Sequence, residues 1–269
     1  QEIIAKHPDS PLAPLAQLLY QIGPANTWRQ VEPLGLSLLD GRSNPGELFF
    51  TGGSVNLLQI AQAYSTFANL GVQRGTTRSD DGPLSPVTLV SVEDIHGQVW
   101  LAPAAPQETS LVSPQLAYLI HHMLADEPAR WPSLGYPNPL ETGRPTGAKT
   151  GQTARGDEVW AVGYSRQMLS VVWMGLPAEA PTEARLQPRM AAGLWHAAFQ
   201  YAHRDLPLAD WPVPEGLSTV TVCTPSGKLP TSQCPTQVEE IFLSGSEPDD
   251  ADHLYRTVHA NRDTNRLST

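Results

Sequence analysis

The stretch Gly147-Ala148-Lys149-Thr150-Gly151-Gln152-Thr153 is followed by Asp157-Glu158-Val159-Trp160-Ala161-Val162-Gly163-Tyr164 and then by Met168-Leu169-Ser170-Val171-Val172-Trp173-Met174-Gly175. A small-residue segment with one lysine leads into two β-rich runs, parted by the polar turn Ser165-Arg166-Gln167. That pattern predicts three consecutive antiparallel strands. Lys149 lies on the first of them, flanked by glycines that let a ligand approach the backbone and by threonines that supply hydroxyls. A cation beside hydroxyl donors suits a substrate carboxylate.

Around this stretch, the 269 residues and 29.2 kDa allow one large domain or a domain with an appendage. A 40% hydrophobic content is enough for a core, while 26 prolines and 21 glycines imply many loops. The net charge of −10 excludes nucleic acid, whose phosphates need a basic surface, and argues against binding anionic membrane. No run of 18 apolar residues offers a membrane span, and no signal peptide is visible. A start at Gln1 is read as a cut from something longer. Lysine is scarce: Lys6, Lys149 and Lys228.

Cys223 and Cys234 bracket a segment with Pro and Gly that suits a tight loop. The favoured reading is a disulfide, hence an extracytoplasmic setting; the other is two free thiols in a cytosolic protein.

In chain order, Leu15, Leu18, Leu19 and Ile22 recur at helical spacing, and a short helix is expected around Trp28, Val31 and Leu34. Leu57, Ile60, Ala61, Tyr64, Phe67 and Ala68 form a helical stripe, with Asn56 and Gln59 as a capping pair and Asn69-Leu70-Gly71 as its end. A hairpin is expected from Val87–Val92 and Gln98–Leu101 around residues 94–97. Ser113-Pro114 opens another helix. A long helix is expected from about Glu183 to His203, with Met190, Ala191, Leu194, Ala198 and Tyr201 facing the strands. His196 and His203, seven apart, sit about 10 Å apart along such a helix, too far for one zinc, and read as surface histidines. Residues 217–243 read as a small β-rich appendage, and the acidic run 247–252 as a solvated loop.

Taken together, the chain resembles the C-terminal portion of the transpeptidase domain of class A penicillin-binding proteins. Thr51-Gly52-Gly53-Ser54 and the helix ending Tyr64-Ser-Thr-Phe67-Ala-Asn69-Leu-Gly71 are similar to that family's Gly-Gly segment and following helix. Lys149-Thr150-Gly151 resembles the third motif it shares with the serine β-lactamases, and Trp160-Ala-Val-Gly-Tyr164 the strand after it. Val220 to Gly245, with Cys223, Cys234-Pro235 and Glu239-Glu240-Ile-Phe242, resembles the tail after that domain.

The resemblance implies an α+β fold, an antiparallel sheet with helices on both faces. It would be N-terminally incomplete over 1–206 and carry a linker and small β-rich appendage over 207–269. It implies part of a D,D-transpeptidase that cross-links peptidoglycan stem peptides and binds β-lactams, extracytoplasmic in a membrane-anchored parent, with no cofactor and no metal. The family's Ser-x-x-Lys is absent: Ile3, Thr146 and Pro225 stand three residues before the three lysines. The nucleophile would then belong to a missing N-terminal part of the same domain.

Ser10 falls at the family's Ser-x-Asn, but Leu12 replaces the asparagine, and a leucine cannot donate a hydrogen bond. Ser54-Val55-Asn56 fits Ser-x-Asn by letters and is read as a capping segment. Ser10 and Lys149 are therefore the expected catalytic positions; Thr150, Gly151, Gln152 and Thr153 bind substrate, with Gln152 where a hydroxyl is usual. The competing reading is a catalytically dead domain of this fold that binds peptidoglycan or a partner protein. A further expectation is an apolar surface left uncovered where upstream strands and the nucleophile helix belong.

Overall fold

The computed structural model describes residues 13–36, 55–77, 84–102 and 105–257. Two compact units result, Gln1–Trp211 and Pro212–Thr269.

The first unit opens with α1 (Ala13–Ile22) and α2 (Pro24–Val31). Helix α3 (Leu57–Ala68) begins with the expected capping box: Gln59 N donates to Asn56 Oδ1 and Asn56 N to Gln59 Oε1, each at 2.9 Å. Strands β1 (Val72–Gly75) and β4 (Gln107–Ser110) pair antiparallel, as do β2 (Val92–Glu93) and β3 (Val99–Leu101). The expected hairpin thus exists, but its first strand is confined to two residues. Its turn is closed by Asp94, whose carboxylate accepts from the backbone N–H groups of His96 and Gln98. Helix α4 (Pro114–Ala125) is capped by Ser113, which accepts from Leu116 N. A turn of helix, α5 (Trp131–Leu134), leads to the sheet.

The three expected strands are present: β5 (Gly147–Gln152), β6 (Glu158–Tyr164) and β7 (Leu169–Gly175), in the order β5-β6-β7, all antiparallel. Side chains alternate between faces along each strand. Ala148, Val159 and Ala161 turn one way and join the core of Leu134, Leu140, Leu186, Ala191, Ala192, Trp195 and Phe199. Helix α6 (Pro188–His203) covers that face.

Helix α6 corrects three expectations. It starts at Pro188 rather than near Glu183, because proline is favoured at the first helical position and residues before it stay extended. Its buried stripe is Ala191, Ala192, Trp195, Phe199 and His203, whereas Met190, Leu194 and Tyr201 are 49, 56 and 69% exposed. The true stripe lies one residue, about 100°, around the helix from the expected one. The larger rings of Trp195 and Phe199 decide it: they stack at 4.6 Å, and each buries on the order of 1.5–3 kcal/mol of apolar surface. His203 is buried rather than on the surface. Its Nε2 lies 2.8 Å from Ser165 Oγ and its Nδ1 2.7 Å from Phe199 O. Since the carbonyl can only accept, Nδ1 carries the proton and Ser165 donates to Nε2. Ser165 Oγ also accepts from Gln167 N and Met168 N, so one buried polar pair fastens the β6–β7 turn to the end of α6.

The Pro- and Gly-rich segment before β5 is tied to α6 by side chains donating to its carbonyls. Gln200 Nε2 reaches Thr142 O at 3.1 Å, and Arg189 reaches Leu134 O and Pro137 O.

The second unit is a two-stranded ribbon, β8 (Leu217–Cys223) against β9 (Gln237–Leu243), closed by the Cys223–Cys234 disulfide. The acidic run after it is not simply solvated. Asp250 pairs with Lys228 at 2.9 Å, Glu247 accepts from Gly245 N, and Asp252 is buried and accepts from Tyr255 N. These carboxylates satisfy backbone and lysine donors, which the sequence pattern alone did not show.

Candidate functional site

Strand β5 is the sheet's edge, and its hydrogen-bond phase fixes what it offers. Thr153 N donates to Glu158 O at 3.1 Å, so the odd-numbered residues from Gly147 to Gly151 bond inward to β6. Ala148, Thr150 and Gln152 turn their N–H and C=O groups out of the sheet. Two of those carbonyls meet cations: Thr150 O accepts from Lys149 Nζ at 2.7 Å, and Ala148 O faces Arg130 Nη1 at 3.5 Å.

Lys149 rises from this edge. Its ammonium forms no ion pair among the described residues, and the atoms around it strip enough water to lower its pKa from the usual lysine value. A partly desolvated cation whose one acceptor among the described residues is a neutral carbonyl is electrostatically under-satisfied. Gly151 has ordinary van der Waals room for a Cβ, 3.7 Å from Trp160 Cβ, so internal packing does not require a glycine there.

Beneath Lys149 lies an aromatic cluster that sequence reading missed. Tyr164 stands opposite Gly147, and a Cβ at Gly147 would lie 2.6 Å from its ring. Around Tyr164 gather Tyr64, His121 and Trp211, at centroid distances of 6.5, 5.7 and 5.8 Å. Trp211 Nε1 donates to Ala68 O at 2.7 Å, and its ring is tilted 44° against that of His121 with centroids 3.9 Å apart. Burial lowers the His121 pKa to about 4 and raises that of Tyr164. The glycine two positions before Lys149 was the one available sign of this cluster. His121 and Trp211 carried none.

The sequence-chosen residues divide. Lys149, Thr150 and Gly151 share the open edge. Gln152 turns its carboxamide away, donating from Nε2 to Leu186 O at 2.7 Å. Thr153 folds into the β5–β6 turn, where its hydroxyl donates to Asp157 and accepts from Glu158 N. Ser10 and Leu12 lie outside the described residues. Among the described residues no helix is long and apolar enough to cross a membrane.

Residues 213–257 match the family described as penicillin-binding protein 1A, C-terminal domain. The chain is 28% identical over 219 residues to penicillin-binding protein 1A of Clostridium perfringens, covering 78% of this chain and 24% of that protein. It is 24% identical over 241 residues to penicillin-binding protein 1C of Escherichia coli, covering 87% and 28%. It thus spans about a quarter of the length of such relatives. The fold is similar to crystallographic penicillin-binding protein 1A from Haemophilus influenzae, with a TM-score of 0.67 and 17% identity over 87% of this chain and 39% of that one. PonA1 from Mycobacterium tuberculosis gives 0.54 and 22% identity over 71% and 52%. Fold, tail and relatives agree: the chain is similar to the C-terminal part of class A penicillin-binding proteins.

Proposed function

We propose that this chain carries the carboxylate-binding half of a peptidoglycan D,D-transpeptidase site, acylated by β-lactams in the whole protein. The observation behind this reading is Lys149: a partly desolvated ammonium without an ion pair among the described residues, on the sheet's free edge. A C-terminal stem-peptide carboxylate would complete its coordination, and Thr150 is the next residue along the same edge. The outward N–H groups of Thr150 and Gln152 are fixed donors of the kind that stabilise a developing oxyanion. The serine nucleophile and its lysine base are not in this sequence. In this reading they come from an N-terminal part of the same domain, which also supplies strands against β7. An extracytoplasmic setting accords with the disulfide and with a peptidoglycan substrate.

A second reading has its own observation. Gln152 spends its side chain on Leu186, and Leu12 cannot donate, so two positions that bind substrate in the resembling family lack that capacity here. A catalytically dead domain that binds peptidoglycan or a partner protein fits both.

Covalent labelling with a fluorescent penicillin separates the two. This chain alone stays unlabelled under either reading. Labelling of the full-length natural protein supports the transpeptidase; a folded full-length protein that stays unlabelled supports the binding domain.

A further inference from the structure

We infer that Gln152 is a positioning residue that clasps the segment before α6 against the end of the Lys149 strand, and that its side chain is not a ligand of the substrate. The inference builds on the site proposed above. Both backbone groups of Leu186 are taken by the β5–β6 hairpin: its carbonyl accepts from Gln152 Nε2 at 2.7 Å, and its N–H donates to Gly156 O at 2.8 Å. Its side chain is buried in the core, so the segment is pinned at one residue from three sides.

Gly156 is part of the same clasp. It has φ +71°, and a Cβ there would lie 3.1 Å from Gln152 Nε2 and 2.8 Å from Arg185 Cδ. Arg185 is held over the turn, with Nη1 donating to Thr182 O and Ala184 O, in the field of Asp157. A hydroxyl side chain at position 152 is too short to reach the Leu186 carbonyl. Glutamine therefore exchanges a substrate-facing donor for a fixed wall at the end of β5. Position 152 keeps its outward backbone N–H for the site, and the side-chain charge facing an anion is that of Lys149.

The test is hydrogen exchange on this chain, read at the Leu186 amide, in the wild type and in Gln152→Met, Gln152→Thr and Gln152→Glu. Loss of the clasp should lower Leu186 protection roughly three- to tenfold in the Met and Thr variants. In Gln152→Glu, protection relative to wild type should be low at pH 8 and recover on acidification, as the carboxyl gains a proton to donate to Leu186 O. General loosening gives no such recovery. Unchanged protection in both Met and Thr variants overturns the inference. So does a Gln152→Met variant of the full-length protein that loses penicillin labelling while Leu186 protection stays at the wild-type level. If the wild-type full-length protein does not label, the transpeptidase reading falls, and the exchange result still decides the clasp.

Discussion

The indole of Trp195 packs directly against Gly163: a Cβ on that glycine would sit 2.3 Å from the ring's Cζ2. Trp195 is fully buried, and its Nε1 donates to Ser170 O on the neighbouring strand at 3.1 Å. One helix residue thus packs over β6 and hydrogen-bonds to β7. Gly163→Ala should cost about 1–3 kcal/mol through overpacking, read as a lower urea midpoint with an unchanged slope. A midpoint within error of wild type would show that α6 can shift freely, contrary to this packing.

Lys149→Met should separate binding from folding. Among the described residues the ammonium makes a single bond, to an exposed carbonyl, so the melting temperature should hardly move. In a full-length protein that labels with penicillin, the second-order acylation rate should fall roughly 10- to 100-fold, the worth of a charge-assisted hydrogen bond to a carboxylate. Equal loss of stability and labelling would assign Lys149 a structural role instead.

His121 makes stability depend on acid. Its folded pKa of about 4 lies below the ordinary 6.5, chiefly because burial disfavours the charged ring. Asp210 acts in the opposite sense, and His122 in the same. Between those values the unfolded chain binds more protons. The stabilisation is therefore complete above about pH 6.5 and lost progressively towards pH 4, by on the order of 2–3 kcal/mol. His203, also lowered by burial, acts in the same direction. Melting temperatures across pH 4–8 should show this slope, and His121→Phe should flatten it. A slope unchanged in that variant would remove His121 as its origin.

In the second unit, the Cys223–Cys234 bridge closes a loop with a sequence separation of 11. Two strands alone are marginal in water, so the bridge matters out of proportion to its size. Replacing both cysteines by serine should cost about 3 kcal/mol by loop closure. Exchange protection along β8 and β9 reports it, and protection equal to wild type would sink the idea.

What could be read from sequence followed from how local the cause was. The strands around Lys149 announce themselves through β-rich runs split by polar turns. The α3 capping box is written in Asn56 and Gln59, three residues apart. The buried face of α6 was not legible, because Met190, Leu194 and Tyr201 are as apolar as the residues that won, and only Gly163, far away in sequence, makes room for Trp195. The fate of Gln152 was equally hidden. Its partner is a main-chain carbonyl 34 residues on, and a carbonyl has no letter in a sequence. His203 read as a surface residue because its partner, Ser165, sits in a turn that the pattern marked only as polar.

Strand β7 has a hydrogen-bonded neighbour on one side, β6, among the described residues. Leu169, Val171, Trp173 and Gly175 therefore turn their backbone groups to the side on which no described strand pairs. Leu58 and Trp173 are 56 and 46% exposed, and Leu18 and Ile22 of α1 are 52 and 44% exposed. A backbone edge does not discriminate by sequence: it accepts any extended segment that arrives in register. Concentration thus becomes a structural variable for this chain, since two copies meeting edge to edge would continue each other's sheet, and time and dilution would decide which partner β7 keeps.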